Sequence, residues 1–296
     1  MSAIKIGVTL PQFTDDAGVV VDGARRAREA GLDSVFVFDH LWPLSGGKER
    51  PILEAWTTLA HVAATTEEIL VGSLVTRSSL RHPAVLAKMA ATVGEIAPGR
   101  VIVGIGSGDE MSRPENEAFG LPYYSGDDRV QQMISTADVV RRFLNDDAVS
   151  LKDDYVALEA FPPSPTPTPP TVWIGGRSER VLAAAGRVAD GWNGWGGTPE
   201  EFAHDAATVR AAAPGRDIEL SWGGSVVLAE TDAAAAAKLG SRNPKEYIVG
   251  GADAVARHLG ALIDGGAGHL VVTFPDAATP SNYERLGGRI RDLLGL

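Results

Sequence analysis

The chain has 296 residues and carries 38 acidic against 27 basic side chains, a formal net charge of −11. An acidic surface repels phosphate backbones, which argues against nucleic acid as a partner. The absence of cysteine excludes disulfides, thiolate metal sites, iron–sulfur clusters and a cysteine nucleophile. With no apolar leader and no long uncharged run, a cytoplasmic protein is expected.

Apolar runs alternate with helical patterns from the start. Ile4 to Leu10 reads as a strand, and 17–30 as a helix with Val20, Ala24 and Ala27 on one face. Gly31 stands where a left-handed helix cap is wanted, and Val35 to Phe38 reads as a strand buried on both faces. Ile52 to Thr65 is then helical, Ile69 to Val75 a strand, His82 to Ala97 a helix stopped by Pro98-Gly99, and Val101 to Ile105 the fourth strand. A helix over 127–144 is followed by a proline-rich stretch, 161–170, which suits a stiff connector rather than a helix or central strand. Beyond it come Thr171 to Ile174 (strand), 178–188 (helix), Gly191 to Asn193 (strand), 199–212 (helix), Ile218 to Leu228 (strand), 251–264 (helix), Leu270 to Phe274 (strand) and 281–294 (helix). Residues 29–38 and 264–273 repeat one design: a helix end, a glycine and a buried strand. Eight strands, each followed by a helix, predict a single (β/α)8 TIM barrel over 1–296, with loop insertions at the C-terminal face of the strands.

In such barrels the chemistry lies just after each strand. After strand two come Asp39, His40 and Trp42; a histidine beside a carboxylate there suits a general acid or base. After strand four comes Gly104-Ile105-Gly106-Ser107-Gly108, where small residues let a flat ligand approach the backbone, then the carboxylates Asp109 and Glu110. After strand five Gly175, Gly176, Arg177 and Ser178 open a helix, and free N–H groups at such an end attract phosphate. Strand three ends in Ser73-Leu74-Val75-Thr76, and Trp195 follows strand six as a candidate pocket wall. The six histidines have no metal-ligand spacing, so no metal is expected.

In their order and spacing these residues resemble the bacterial luciferase-like family, and within it the branch of oxidoreductases that use the deazaflavin coenzyme F-420. The match runs through Glu54-Ala55-Trp56, Ala63-Ala64-Thr65-Thr66, Gly72 to Thr76, Arg81-His82-Pro83-Ala84, Gly99-Arg100, Gly104 to Gly108, Trp173 to Ser178 and Ala189 to Trp192. The resemblance implies a homodimer and a non-prolyl cis peptide in strand three, at Ser73–Leu74. It implies that Ser73 and Leu74 back the cofactor ring, that Thr76 meets the ring edge, that Gly106, Ser107 and Gly108 border the ring, and that Asp39 meets its polar side. Gly175, Gly176, Arg177 and Ser178 would hold the cofactor phosphate. His40 would act on the substrate proton, Asp109 or Glu110 would serve the ring nitrogen, and Trp42 and Trp195 would border a small-molecule substrate. Three alternatives stay open: an FMN-dependent monooxygenase on the same barrel, a barrel that binds cofactor without turning it over, and an unrelated α/β binding protein.

Overall fold

The computed structural model describes residues 3–43, 47–145, 148–276 and 279–296. Its first half alternates β1 (Lys5–Thr9), α1 (Ala17–Glu29), β2 (Ser34–Val37), α2 (Ala55–Thr65), β3 (Leu70–Arg77), α3 (Pro83–Ile96) and β4 (Val101–Gly106). An excursion follows, with the short helix α4 (Arg113–Ala118), the long helix α5 (Gly126–Leu144) and an antiparallel hairpin of β5 (Val149–Lys152) and β6 (Ala157–Phe161). The alternation resumes with β7 (Thr171–Gly175), α6 (Glu179–Val188), β8 (Gly191–Trp195), α7 (Pro199–Ala211) and β9 (Glu219–Leu228). After α8 (Asp232–Leu239) and β10 (Tyr247–Gly250), the chain ends with α9 (Ala252–Asp264), β11 (His269–Thr273), α10 (Pro280–Arg285), a π turn over Leu286–Ile290 and a final helical turn.

The helix ends have local causes. Asp16, Glu54 and Thr198 each accept backbone N–H bonds at the N-termini of α1, α2 and α7. Gly31 and Gly99, at φ of +79° and +71°, turn the chain out of α1 and α3.

Strands pair in the order β10-β9-β11-β1-β2-β3-β4-β7-β8, and β8 pairs again with β9. Eight strands therefore close into a parallel barrel, and β10 runs beside the last residues of β9, from Tyr247 opposite Ser225 to Gly250 opposite Leu228. The barrel expected from the sequence is the one found. The hairpin β5–β6, α8 and β10 were not expected, and the closing helix is broken at Leu286–Ile290, where Gly287 packs on the backbone of Ala30. Among the described residues no helix is long and apolar enough to cross a membrane.

One core lies between barrel and helices. A smaller one fills the barrel: Phe36, Leu74, Ile102, Trp173 and Val271. Phe36 stacks on Trp173 with centroids 5.7 Å apart, and the ring of His269 meets Trp173 edge-on at 5.1 Å. At the N-terminal floor, fully buried His269 shares a 2.7 Å hydrogen bond with Ser34, while Lys5 pairs with Glu219 at 2.6 Å.

The third strand is irregular, and its cis peptide is Leu74–Val75, not the Ser73–Leu74 bond expected from the resemblance. Ser73 is still in regular register, opposite Val103, and its hydroxyl donates to Gly104 O at 3.0 Å. The register breaks only between Ser73 and Thr76, so the irregularity falls one residue later.

Candidate active site

The C-terminal ends of five strands enclose a cavity of about 320 Å³. The segment after β2 brings Phe38, Asp39 and His40, and β3 brings Leu74, Val75 and Arg77. From β4 and the turn after it come Gly106, Ser107, Gly108 and Asp109; β7 and β8 complete the wall with Gly175, Gly176, Asn193 and Trp195. The floor is apolar and tightly built. A Cβ on Gly106 would stand 2.3 Å from Val75 Cγ2, and one on Gly175 would stand 2.8 Å from its Cγ1. Those positions must be glycine because Val75 already fills the space, and the wall they form is bare backbone.

His40 is held from behind. Its Nδ1 lies 3.0 Å from Glu115 Oε2, and the other oxygen of Glu115 lies 2.8 Å from Arg77 Nη2. The Leu41 N–H also donates to Glu115. Glu115 comes from α4 and is wholly buried. Burial alone would raise its pKa, but the hydrogen bonds from His40 and Leu41 and the charge of Arg77 hold it below the ordinary carboxylate value. Arg77, also buried, donates further to Asp39 O at 3.2 Å and Asn116 Oδ1 at 2.9 Å, so the loop carrying His40 is tied to β3 and α4.

Asp39 lines the cavity, but its carboxylate is buried against Arg81, which grips both oxygens and also pairs with Glu54. Burial pushes the Asp39 carboxyl up, and the Arg81 guanidinium opposes that. Of the two acids after β4, Asp109 borders the cavity and caps a short 3-10 turn by accepting from Ser112 N at 3.2 Å. Glu110 points outward, 65% exposed, toward Arg129 and Arg113.

The expected ring-backing residues separate. Leu74 lines the cavity; Ser73 and Thr76 are buried, and the Thr76 hydroxyl accepts from Trp56 Nε1 at 2.8 Å. At the expected phosphate site, Gly176 N donates to Asn193 O at 3.1 Å, and Arg177 is pulled away by Asp205 at 2.7 Å and Glu201 at 3.5 Å. Ser178 caps α6 by accepting from Val181 N at 3.4 Å. Trp195 borders the cavity and meets Phe38 edge-on at 5.8 Å. Trp42 packs elsewhere, edge-on to Phe119 at 6.2 Å with Lys48 Nζ 4.0 Å above its ring.

Sequence reading missed Glu115, Arg77, Val75 and Asn193. Arg77 carried a cue, a charge standing directly behind an apolar strand. Glu115 carried none, because it lies 75 positions from His40.

The family model for luciferase-like monooxygenases matches residues 3–291. The F-420-dependent glucose-6-phosphate dehydrogenase of Beutenbergia cavernae is 36% identical over 171 residues, 56% of this chain and 49% of that protein. The F-420-dependent hydroxymycolic acid dehydrogenase of Mycobacterium tuberculosis is 30% identical over 192 residues, 63% of this chain and 51% of that protein. The chain thus spans about half the length of the curated relatives it matches. Among solved structures, an F-420-dependent secondary alcohol dehydrogenase in complex with an F-420–acetone adduct superposes with a TM-score of 0.83 over 99% of both chains, at 18% identity. EDTA monooxygenase from Chelativorans sp. BNC1 superposes with a TM-score of 0.81 over 99% of this chain and 98% of that one, at 15% identity. Likeness at that identity speaks to the fold.

Proposed function

Because the chain belongs to the luciferase-like monooxygenase family, we propose that it is an oxidoreductase that moves a hydride between coenzyme F-420 and a small organic substrate. The observation that carries this reading is His40, fixed by the buried Glu115–Arg77 pair at the edge of a glycine-walled cavity. The F-420-dependent dehydrogenases among its relatives support the choice of cofactor.

The residues fit such a group. A flat tricyclic ring needs an apolar floor and walls without side chains; Leu74 and Val75 give the first, and Gly106, Gly108, Gly175 and Gly176 the second. When bound, a deazaflavin supplies a carbon that accepts or returns a hydride and lacks the flavin nitrogen that forms oxygen adducts. The protein's part is to orient and to move a proton. With Nδ1 of His40 committed to Glu115, Nε2 is the nitrogen left to take a proton from a substrate hydroxyl or return one to a carbonyl. In this reading Asp109, which borders the cavity, meets a polar ring edge, and Trp195 covers one side; the lining position of both supports it. The backbone N–H groups that open α6 are the remaining donors for the cofactor phosphate, with Arg177 recruited from its carboxylates.

Fluorescence titration with F-420 and, separately, FMN tests the assignment. Tight F-420 binding with turnover on an alcohol and carbonyl panel is expected, and His40→Ala should lower turnover by about 100-fold or more with little change in cofactor affinity. Preference for FMN with oxygen consumption would make the protein a monooxygenase instead. Binding of neither would overturn the oxidoreductase reading.

A homodimer forms part of the same proposal. A groove of about 490 Å³ between α2 and α3 is lined by Ala60, Val85, Met89 and Val93, and Val85 stands 53% exposed. Val85→Lys should shift the protein to monomer in sedimentation.

A further inference from the structure

A second cavity, of about 430 Å³, opens beside the first, and Phe38 and His40 belong to both. The imidazole therefore stands where the two spaces meet. The outer space has one apolar side, made by Phe13, Phe38 and Phe274, and two guanidinium groups, Arg50 and Arg242. Among the described residues no carboxylate lines it. In a chain with a net charge of −11, a hollow bordered by two arginines differs in sign from the molecule as a whole.

Two acids beside the wall have partners of their own. Asp276, next after the lining Pro275, is taken by Lys238 at 2.7 Å, Thr279 at 3.1 Å and Asn282 at 3.0 Å. Glu246, beside Tyr247, accepts from Asn243 at 2.9 Å. Arg242 is anchored where α8 ends, its Nη1 donating to Lys238 O at 3.2 Å and Leu239 O at 3.1 Å. The guanidinium of Arg50 lies 5.8 Å from the ring centre of Phe13.

Few groups here would serve a polyol. Among the described residues Tyr247 and Thr273 bear the hydroxyls on the wall, and the Thr273 hydroxyl accepts from Thr9 at 3.0 Å. A sugar would leave hydroxyls without partners, and buried unpaired polar groups are costly.

Resting on the hydride-transfer reading, we propose that the substrate is a small organic acid with an apolar body. Its carboxylate is held by Arg50 and Arg242, its body lies against the three phenylalanines, and its carbinol or carbonyl carbon faces His40. In the oxidation direction a bound deazaflavin would supply the two-electron acceptor for the hydride released as the carbon–hydrogen bond breaks. His40 would take the hydroxyl proton as the carbon–oxygen double bond forms. Arginine forks suit carboxylate and phosphate alike; the apolar wall favours a hydrophobic acid over a sugar phosphate.

Calorimetric titration of benzoate, benzamide and glucose 6-phosphate into the F-420-loaded protein tests this, with each probe also titrated into protein without cofactor. Benzoate should bind at least about tenfold more tightly than benzamide, and more tightly than glucose 6-phosphate. Arg242→Gln and Arg50→Gln should each weaken benzoate about tenfold and leave F-420 affinity unchanged. Arg242→Lys, which keeps the charge, should retain part of the binding and guards against a folding defect in the glutamine variant. Benzamide binding as well as benzoate, benzoate indifferent to both arginines, or glucose 6-phosphate binding best would each overturn the proposal. Because the outer cavity is made of protein alone, benzoate binding without F-420 binding would sink the hydride reading and leave the anion subsite standing.

Discussion

Glu115 determines which nitrogen of His40 is available. Its carboxylate occupies Nδ1, is itself pinned by Arg77 and the Leu41 N–H, and is out of reach of solvent. Glu115→Gln removes the charge that pairs with Arg77 and leaves a buried guanidinium without its counter-ion, the costly way to break such a pair. A stability loss of about 2–4 kcal/mol is expected by denaturant titration. Turnover should fall by about 10–100-fold with F-420 affinity unchanged, because the imidazole loses the partner that orients it. A stability loss with turnover unchanged would mean that Glu115 is only structural. At this level the sequence was partly legible. His40 and Asp109 lie next to their strands, so chain order alone brings them to the rim. Glu115 and Asn193 reach it through folding of distant segments, and Ser73 and Thr76 are buried hydrogen-bond groups on either side of the register break in β3, which no sequence period announces.

Three strands, β3, β4 and β7, act together in shaping the cavity, since Val75 of the first fills the space that glycines of the other two leave open. Gly106→Ala would place a methyl 2.3 Å from Val75 Cγ2, so the valine must move. A stability loss of about 1–3 kcal/mol and at least about tenfold weaker cofactor binding are expected. Adding Val75→Ala should recover much of both, and a double-mutant cycle that shows no coupling would refute the contact. Elements of this kind were readable where hydrophobic period, cap and length agreed, as in α1, α3 and the barrel strands. The hairpin β5–β6 and strand β10 were not: the hairpin strands alternate with exposed residues and carry no long apolar run, and β10 is only four residues long. Helix α8 was missed for a related reason: Ala233 to Ala237 gives no contrast between faces from which a helical period could be read.

Chemistry and closure lie at opposite ends of the barrel. At the floor, Lys5, Glu219, Ser34 and His269 tie β1, β9, β2 and β11 together around the seam where the first and last strands meet. Burial opposes ionisation of Glu219, but His269 and Lys5 draw its pKa from 4.5 down to about 2. A depressed carboxylate contributes stability that is present above its unfolded value and is lost as pH falls toward the folded one. Burial lowers the pKa of His269 as well, so below about pH 6.5 the unfolded chain binds a proton that the folded one refuses. Both effects run the same way. The melting temperature should begin to fall below about pH 6.5 and drop most steeply between about pH 4.5 and 2. Glu219→Gln should cost about 2 kcal/mol at pH 7, and its gap from the parent should narrow below about pH 4.5 and close as the pH falls to about 2; a gap independent of pH would exclude this ionic contribution. Closure itself was foreseeable from counting βα units, but the floor was not, since its four residues lie at strand starts separated by up to 264 positions.

Strand β10 and the segment leading into it belong to none of the eight staves, yet they deliver Arg242 and Tyr247 to the outer hollow. The stretch leaves the barrel after β9 and returns with its own strand pairing, so it behaves as a cassette. Under the proposed function, exchanging that unit between homologous barrels would change the choice of substrate and leave the cofactor end as it was.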